Sequence, residues 1–225
     1  AQKLREHGGD TQLMLDLQRH VLAALEDSFD ADDKTVLENA RALTRTSATL
    51  DPDHVIIFGD LNRFKRMNDE HGHHAGDAAI AAAGRALWVI ATSYRSRAYR
   101  QSGDEFVLIA PKAVVPRLSA HLARSMMGLK FTYAGHSLVV AMSFGTARRG
   151  DHVDFQSALK AAEDAAQVAK KLGDGVVTEW KPDLTNDALH RRFRCAKCGT
   201  QTDCWVPAER DPSPPLKCPA CGEVS

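Results

Sequence analysis

Residues 54–77 read HVIIFGDLNRFKRMNDEHGHHAGD. The first seven form an apolar run that closes on a carboxylate, Asp60, which is the pattern of a short buried strand. The period then changes. "NRFKRMNDEHG" reads as a short helix ended by Gly72, and "AGDAAIAAAGRALWVIATSY" as a long Ala-rich helix.

Downstream, "RAYRQ" and "FVLIA" flank the Ser102-Gly103 step as two strands of a hairpin. "VVPRLSAHLARSMM" is a helix with Pro116 in its first turn. "LKFTYAG" and "HSLVVAMSFGTA" make a second hairpin turning at Gly135. "DFQSALKAAEDAAQVAKKLG" is a helix closed by Gly173, and "GVVTEW" is a last strand. The order β-α-α-β-β-α-β-β-α-β predicts an α/β fold with a mixed, largely antiparallel sheet flanked by helices. Upstream, Leu13, Leu15, Leu17, Val21, Leu22 and Leu25 mark one helical face. Val36, Leu37, Ala40 and Leu43 mark another, with "DSFDADD" placed to cap this second helix. The expected organisation is an N-terminal helical segment over 1–53, a central domain over 54–181 and a cysteine-bearing segment over 190–225. "KPDLTNDALHRRF" stands between the last two as a linker or short helix.

The 225 residues suit one domain with small appendages. The 29 basic and 29 acidic residues cancel, so no overall field draws nucleic acid or an anionic membrane, and such a partner would need a local patch. No run approaches 18 apolar residues, so no membrane association is expected and the reading is of a soluble, cytoplasmic protein.

The stretch "RQSGDEF" (100–106) places Asp104 and Glu105 at the tip of the first hairpin, while Asp60 ends the first strand. If those strands are neighbours, three carboxylates meet at one sheet edge. Unpaired, they would repel one another and resist ionisation. A hard divalent cation removes that cost, and Mg²⁺ commonly binds one or two carboxylates together with substrate phosphates. Taken by itself, an Asp-Glu pair in a turn is more often just solvated.

Residues 59–77 together with "RQSGDEF" closely resemble the signatures of the GGDEF domain, the diguanylate cyclase family. Those signatures run roughly D-x-D-x-F-K-x-x-N-D-x-x-G-H-x-x-G-D and R-Y-G-G-D-E-F. Asp60, Phe64, Lys65, Asn68, Asp69, Gly72, His73, Gly76 and Asp77 fall at the family's spacing, and "SFGTA" (143–147) resembles its S-x-G-x-A strand. The resemblance covers roughly residues 54–180. It implies a Mg²⁺- or Mn²⁺-dependent condensation of two GTP into cyclic di-GMP with loss of two pyrophosphates, carried out by a homodimer in which each 3′-hydroxyl attacks the other nucleotide's α-phosphate. It further implies that Asp60, the Leu61 carbonyl, Asp104 and Glu105 hold the metal, with Asp104 also assisting deprotonation of the hydroxyl. Asn68 and Asp77 would read the guanine edge, and His73 would lie beside the nucleotide. Lys65 and Lys170 would meet the phosphates, and Gly103 would let the hairpin backbone approach them. Phe64 is expected in the core. Of the "HGHH" histidines only His73 has a family role, and Lys170 could equally be an ordinary helix-end lysine.

Four positions depart from the family pattern. Ser102 replaces a Gly, a mild change. Asn62 replaces a common Asp. Asp174 stands where the family has an Arg that holds the terminal phosphates, replacing attraction by repulsion, with Lys171 or Arg148 as candidate compensating cations. The stretch "SYRS" (93–96) lacks the R-x-x-D of the family's product-inhibition site, so no such feedback is expected.

The five cysteines all follow residue 194. Cys195, Cys198, Cys218 and Cys221 form C-x₂-C-x₁₉-C-x₂-C, the spacing of a structural Zn²⁺ site built on two knuckles that look like a zinc ribbon. Cys204 is left over. Residues 188–225 carry six Lys/Arg against four Asp/Glu, a poor footprint for nucleic acid, so a protein partner or a bracing role is favoured there. Two functions emerge. One is an active diguanylate cyclase. The other is a catalytically weak GGDEF-like nucleotide-binding module acting through its ribbon, a reading that Asp174 favours.

Overall fold

The computed structural model describes residues 14–19 and 29–182 in full, and the backbone of residues 189–194 and 201–206. Its centre is β1 (His54–Asn62), whose middle seven residues are buried because the strand is covered on both faces. It pairs antiparallel with β3 (Glu105–Pro111) on one side and β5 (His136–Arg148) on the other. β2 (Arg97–Ser102) and β4 (Leu129–Tyr133) extend the sheet outward to the order β2-β3-β1-β5-β4. The short β6 (Val177–Glu179) joins β5 in parallel. The largely antiparallel mixed α/β sheet expected from the sequence is present.

The alternation of β1 sorts its side chains. Val55, Ile57 and Leu61 enter a core with Leu87, Phe106, Leu122 and Phe144. That core lies under three helices, α2 (Phe64–His71), α3 (His73–Ser93) and α4 (Val115–Met126). Ile56 and Phe58 point the other way, to Tyr99, Val107, Phe155 and Leu159. There they meet α1 (Ala40–Ser47) and α5 (Phe155–Leu172). α5 can lie unusually close because its inner face is alanine and because Gly145 of β5 has no Cβ. A Cβ there would stand 2.0 Å from the Ala162 carbonyl and 2.2 Å from the Ala166 nitrogen. This is the physical reason for the glycine in "SFGTA".

Two expectations are corrected. The second N-terminal helix begins at Ala40, not near Val36, and its cap is Asn39, whose side chain accepts from the Arg41 and Ala42 amides. Residues 31–38 form a wide turn closed by a bridge between Ala31 and Glu38. The acidic run does not cap because its carboxylates have stronger partners: Asp30 pairs with Arg45 and Asp32 with Arg100. The helical spacing of Val36 and Leu37 is therefore overridden, and Val36 is exposed while Leu37 is buried. The second correction lies in "KPDLTNDALHRRF". Its last residues form β7 (Leu189–Arg194), neither linker nor helix. β7 pairs antiparallel with β8 (Gln201–Val206), so its backbone hydrogen bonds are met by a ladder. Cys204 lies in β8, in register with Arg191. Cys195, Cys198, Cys218 and Cys221, and with them the proposed zinc site, lie outside the described residues. No helix among the described residues is long and apolar enough to cross a membrane.

Candidate active site

The C-terminal end of β1 gathers most of the singled-out residues. Asp60 is the register partner of Glu105, and the Leu61 amide donates to the Asp104 carbonyl at 3.2 Å, tying the strand end to the hairpin tip. Gly103 supplies the left-handed turn (φ 46°), and the space where a Cβ would stand is open. Arg100 holds this tip from behind. Its side chain is nearly buried, its Nε donates to the Gly103 carbonyl at 3.0 Å, and one terminal nitrogen reaches Asp32 at 2.9 Å. Ser102 contributes a hydroxyl that donates to Glu105 Oε2 at 2.6 Å, so this departure adds a hydrogen bond to a site carboxylate.

Asp60 is the buried carboxylate of the group. Lys170, near the end of α5, pairs with its Oδ2, while Oδ1 is buried and accepts no hydrogen bond. Burial pushes its carboxyl up to about 6 against the pull of Lys170, and the nearby charges of Asp104 and Glu105 add to the rise. Lys170 thus stands against the end of β1, in an ion pair with Asp60. An unsatisfied buried carboxylate oxygen beside two further carboxylates fits a hard divalent cation in charge and in donor type. The shell is not ready-made: among the described residues no three Asp, Glu, His or Cys side chains stand together as they would around a metal. Lys170 occupies Asp60, and Ser102 occupies Glu105.

A second pair lies where α2 meets α3. Gly76 lets the two helices approach so closely that a Cβ would fall 1.9 Å from Asn68 Oδ1, an atom that is buried and unpartnered. Asp77 follows on α3. Its Oδ1 accepts from Lys34 of the wide turn at 2.7 Å, and this bond holds its carboxyl below the ordinary range. Lys65 and the histidines His71, His73 and His74 are exposed, and Phe64 packs partly buried against the core.

Two of the departures from the family pattern, Asn62 and Asp174, touch. Asn62 Nδ2 donates to Asp174 Oδ1 at 2.7 Å and to Ser143 Oγ at 2.9 Å, and Arg63 pairs with the other oxygen of Asp174. An Asp at position 62 would face the Asp174 carboxylate with like charge; the amide makes Asp174 tolerable. Arg148 is not the compensating cation. It is in register with Val55 at the opposite end of β1 and pairs with Asp53. Sequence reasoning overlooked Arg63, Lys34 and Ser143. Arg63 adjoins the motif and could have been weighed, whereas nothing local marks Lys34, 43 residues before its partner.

Known proteins resemble this chain over the central domain. The family model described as "Diguanylate cyclase, GGDEF domain" matches residues 30–175, so the wide turn and α1 fall inside the match. Diguanylate cyclase DosC of Escherichia coli (strain K12) is 28% identical over 150 residues, 64% of this chain and 32% of that protein. An uncharacterized signaling protein of Caulobacter vibrioides is 33% identical over 159 residues, 68% of this chain and 19% of its own length. The chain therefore spans a third or less of these curated relatives. Among solved structures, the GGDEF-only form of TpbB (YfiN) from Pseudomonas aeruginosa superposes with a TM-score of 0.55 at 25% identity, covering 67% of this chain and 94% of that one. Diguanylate cyclase SiaD of the same organism, solved with its activator SiaC, has a TM-score of 0.67 at 22% identity, covering 79% of this chain and 72% of its own, a likeness of fold.

Proposed function

Given that the chain belongs to the GGDEF, or diguanylate cyclase, family, we propose that it condenses two GTP molecules into cyclic di-GMP and two pyrophosphates, in the cytoplasm and as a homodimer. The observation that carries this reading is Asp60: a carboxylate buried at a strand end, one oxygen on Lys170 and the other unsatisfied, beside Asp104 and Glu105. A protein gains nothing in stability from such an arrangement, which is what a site for a cation and phosphates requires.

Asn68 and Asp77 together offer an acceptor, a donor and a carboxylate to the guanine edge. Gly76 permits Asn68 its place. Lys170 and Lys65 supply positive charge to the phosphates, with Lys170 placed to exchange its carboxylate for a phosphate oxygen, and His73 lies beside the nucleotide. Asp104 accepts the proton of the attacking 3′-hydroxyl. As the new P–O bond forms at the partner's α-phosphate, the bond to pyrophosphate breaks. Asp60, Asp104, Glu105 and the Leu61 carbonyl would hold Mg²⁺ or Mn²⁺, which neutralises phosphate charge in such reactions. Each copy supplies one nucleotide, so two must face one another.

Chromatography of products after incubation with GTP and Mg²⁺ tests this. Cyclic di-GMP is expected from the wild type and not from Asp104→Asn or Glu105→Gln. Bound GTP without any cyclic dinucleotide at high protein concentration would instead establish the second reading, a nucleotide-binding module, which the charge of Asp174 favours. A parallel incubation with mixed ATP and GTP reports on which dinucleotide forms. We further propose that Cys195, Cys198, Cys218 and Cys221 hold a structural Zn²⁺ in a ribbon that meets a protein partner. The expected result is one zinc per chain by elemental analysis, lost in Cys198→Ser with Cys221→Ser.

A further inference from the structure

Two links cross from α5 and its following turn to the end of β1, and their polarities are opposite. In the first, the cation is on the helix side, Lys170, and the acid is on the strand, Asp60. In the second, the acid is on the turn, Asp174, and its partners are Asn62 and Arg63 at the strand end. Residues 60 and 62 share one face of β1, so the links stand about 7 Å apart along the strand.

Asp174 is rigidly placed. It follows Gly173, whose φ of 137° ends α5, and the Gly173 carbonyl accepts from Ser143 Oγ at 2.8 Å. Ser143 Oγ in turn accepts from Asn62, which also holds Asp174 Oδ1. Arg63 is differently held. Its backbone is left-handed (φ 56°) at the entry to α2, and its side chain is 64% exposed against 30% for Asp174. A long, exposed side chain whose ion pair is with a fixed carboxylate can change partners at little cost, since exposed pairs contribute little stability. Its guanidinium matches phosphate as readily as carboxylate.

We infer that Arg63 is a substrate-binding residue that leaves Asp174 for the terminal phosphates of the bound nucleoside triphosphate, and that Asp174 is its competitor in the nucleotide-free protein. The inference rests on the nucleotide reading above and adds to it a phosphate ligand supplied by the strand end. Asn62 makes the exchange workable, because its amide continues to hold Asp174 after the guanidinium has left. The exchange also sets a threshold: a ligand with few phosphates cannot displace Asp174, while a triphosphate can.

The test is the affinity of the full chain for GTP, GDP and GMP, measured by titration calorimetry with Ca²⁺ as the cation to suppress turnover. Arg63→Gln is expected to weaken GTP binding roughly ten- to a hundredfold, the range of a charge-assisted hydrogen bond, and to leave GMP binding unchanged. Arg63→Asn, which suits the left-handed backbone, should do the same. Asp174→Asn is expected to tighten GTP binding up to about fivefold. Equal effects of Arg63→Gln on GTP and GMP, no effect on either, or weaker GTP binding in Asp174→Asn would each overturn the inference. If the wild type binds GTP and these variants behave alike, the exchange is refuted and the nucleotide reading stands. If the wild type binds no GTP, both are refuted.

Discussion

Replacing Gly76 by alanine should separate binding from folding. The added Cβ would fall 1.9 Å from Asn68 Oδ1, 3.0 Å from its Cγ and 3.1 Å from the Phe64 ring edge, where ordinary contact begins near 3.4 Å. The Asn68 amide must therefore retreat by about 1.5 Å. Retreat costs the fold little, because Oδ1 accepts no hydrogen bond in this structure. Alanine is moreover favoured over glycine within a helix by about 1 kcal/mol. Stability should remain within about 1 kcal/mol of the wild type. A base-reading hydrogen bond displaced by that distance is lost, at about 1–3 kcal/mol, which is roughly a five- to hundred-and-fifty-fold loss of GTP affinity. Titration calorimetry with GTP gives the binding term and urea unfolding the folding term. Inorganic triphosphate serves as a ligand that reports on the phosphate end alone and should bind unchanged. GTP affinity within twofold of wild type in a folded Gly76→Ala protein would refute the reasoning, as would an equal loss for triphosphate.

Gly145→Ala should do the reverse. Its Cβ would meet backbone atoms of α5 that cannot rotate away, so a destabilisation of about 3 kcal/mol or more is expected in urea unfolding. Asp60→Asn removes a buried charge. In metal-free buffer at pH 7.5 it should raise stability by about 1–2 kcal/mol, the loss of the Lys170 pair taking back part of the gain, while abolishing cyclic di-GMP formation. Because the folded-state value is raised to about 6, the wild type regains that stability as pH falls through 6 toward 4, and the two unfolding curves should converge there. Lys34→Ala should return Asp77 to the ordinary carboxylate range, as followed by carboxyl NMR. The small stabilisation that the pair gives above that range, lost as pH falls through the depressed value in the wild type, should disappear. An unchanged Asp77 titration would show that Lys34 is not its partner in solution.

Much of the fold was legible because its cues are local. The apolar run into Asp60, the Ser102-Gly103 and Gly135 turns and the alanine period of residues 155–172 each announce an element within a few residues. The spaced motif from Asp60 to Asp77 and the "RQSGDEF" hairpin pointed to the end of β1, where Asp60 is the register partner of Glu105 and the Leu61 amide meets the Asp104 carbonyl. Residues 31–39 misled for a physical reason. Their apolar spacing suits a helix, but a helix there would forgo the Asp30–Arg45 and Asp32–Arg100 pairs and the Asn39 cap that the wide turn provides. Asp174 was legible as a charge reversal, but its partners Asn62 and Arg63 were not.

By itself the sequence determined the element order of residues 54–179 and the family, because hydrophobic period, turn residues and motif spacing are properties of contiguous chain. Only the tertiary structure decided which charges meet. Arg63 and Asp174 are 111 residues apart, Arg100 and Asp32 are 68 apart, and Lys170 reaches Asp60 only because α5 lies against β1. Such pairs form once the strand order β2-β3-β1-β5-β4 puts β1 at the centre and Gly145 lets α5 settle on the sheet. Ion pairing acts over a few ångströms of space and is indifferent to separation along the chain, so its partners appear only after the chain has folded.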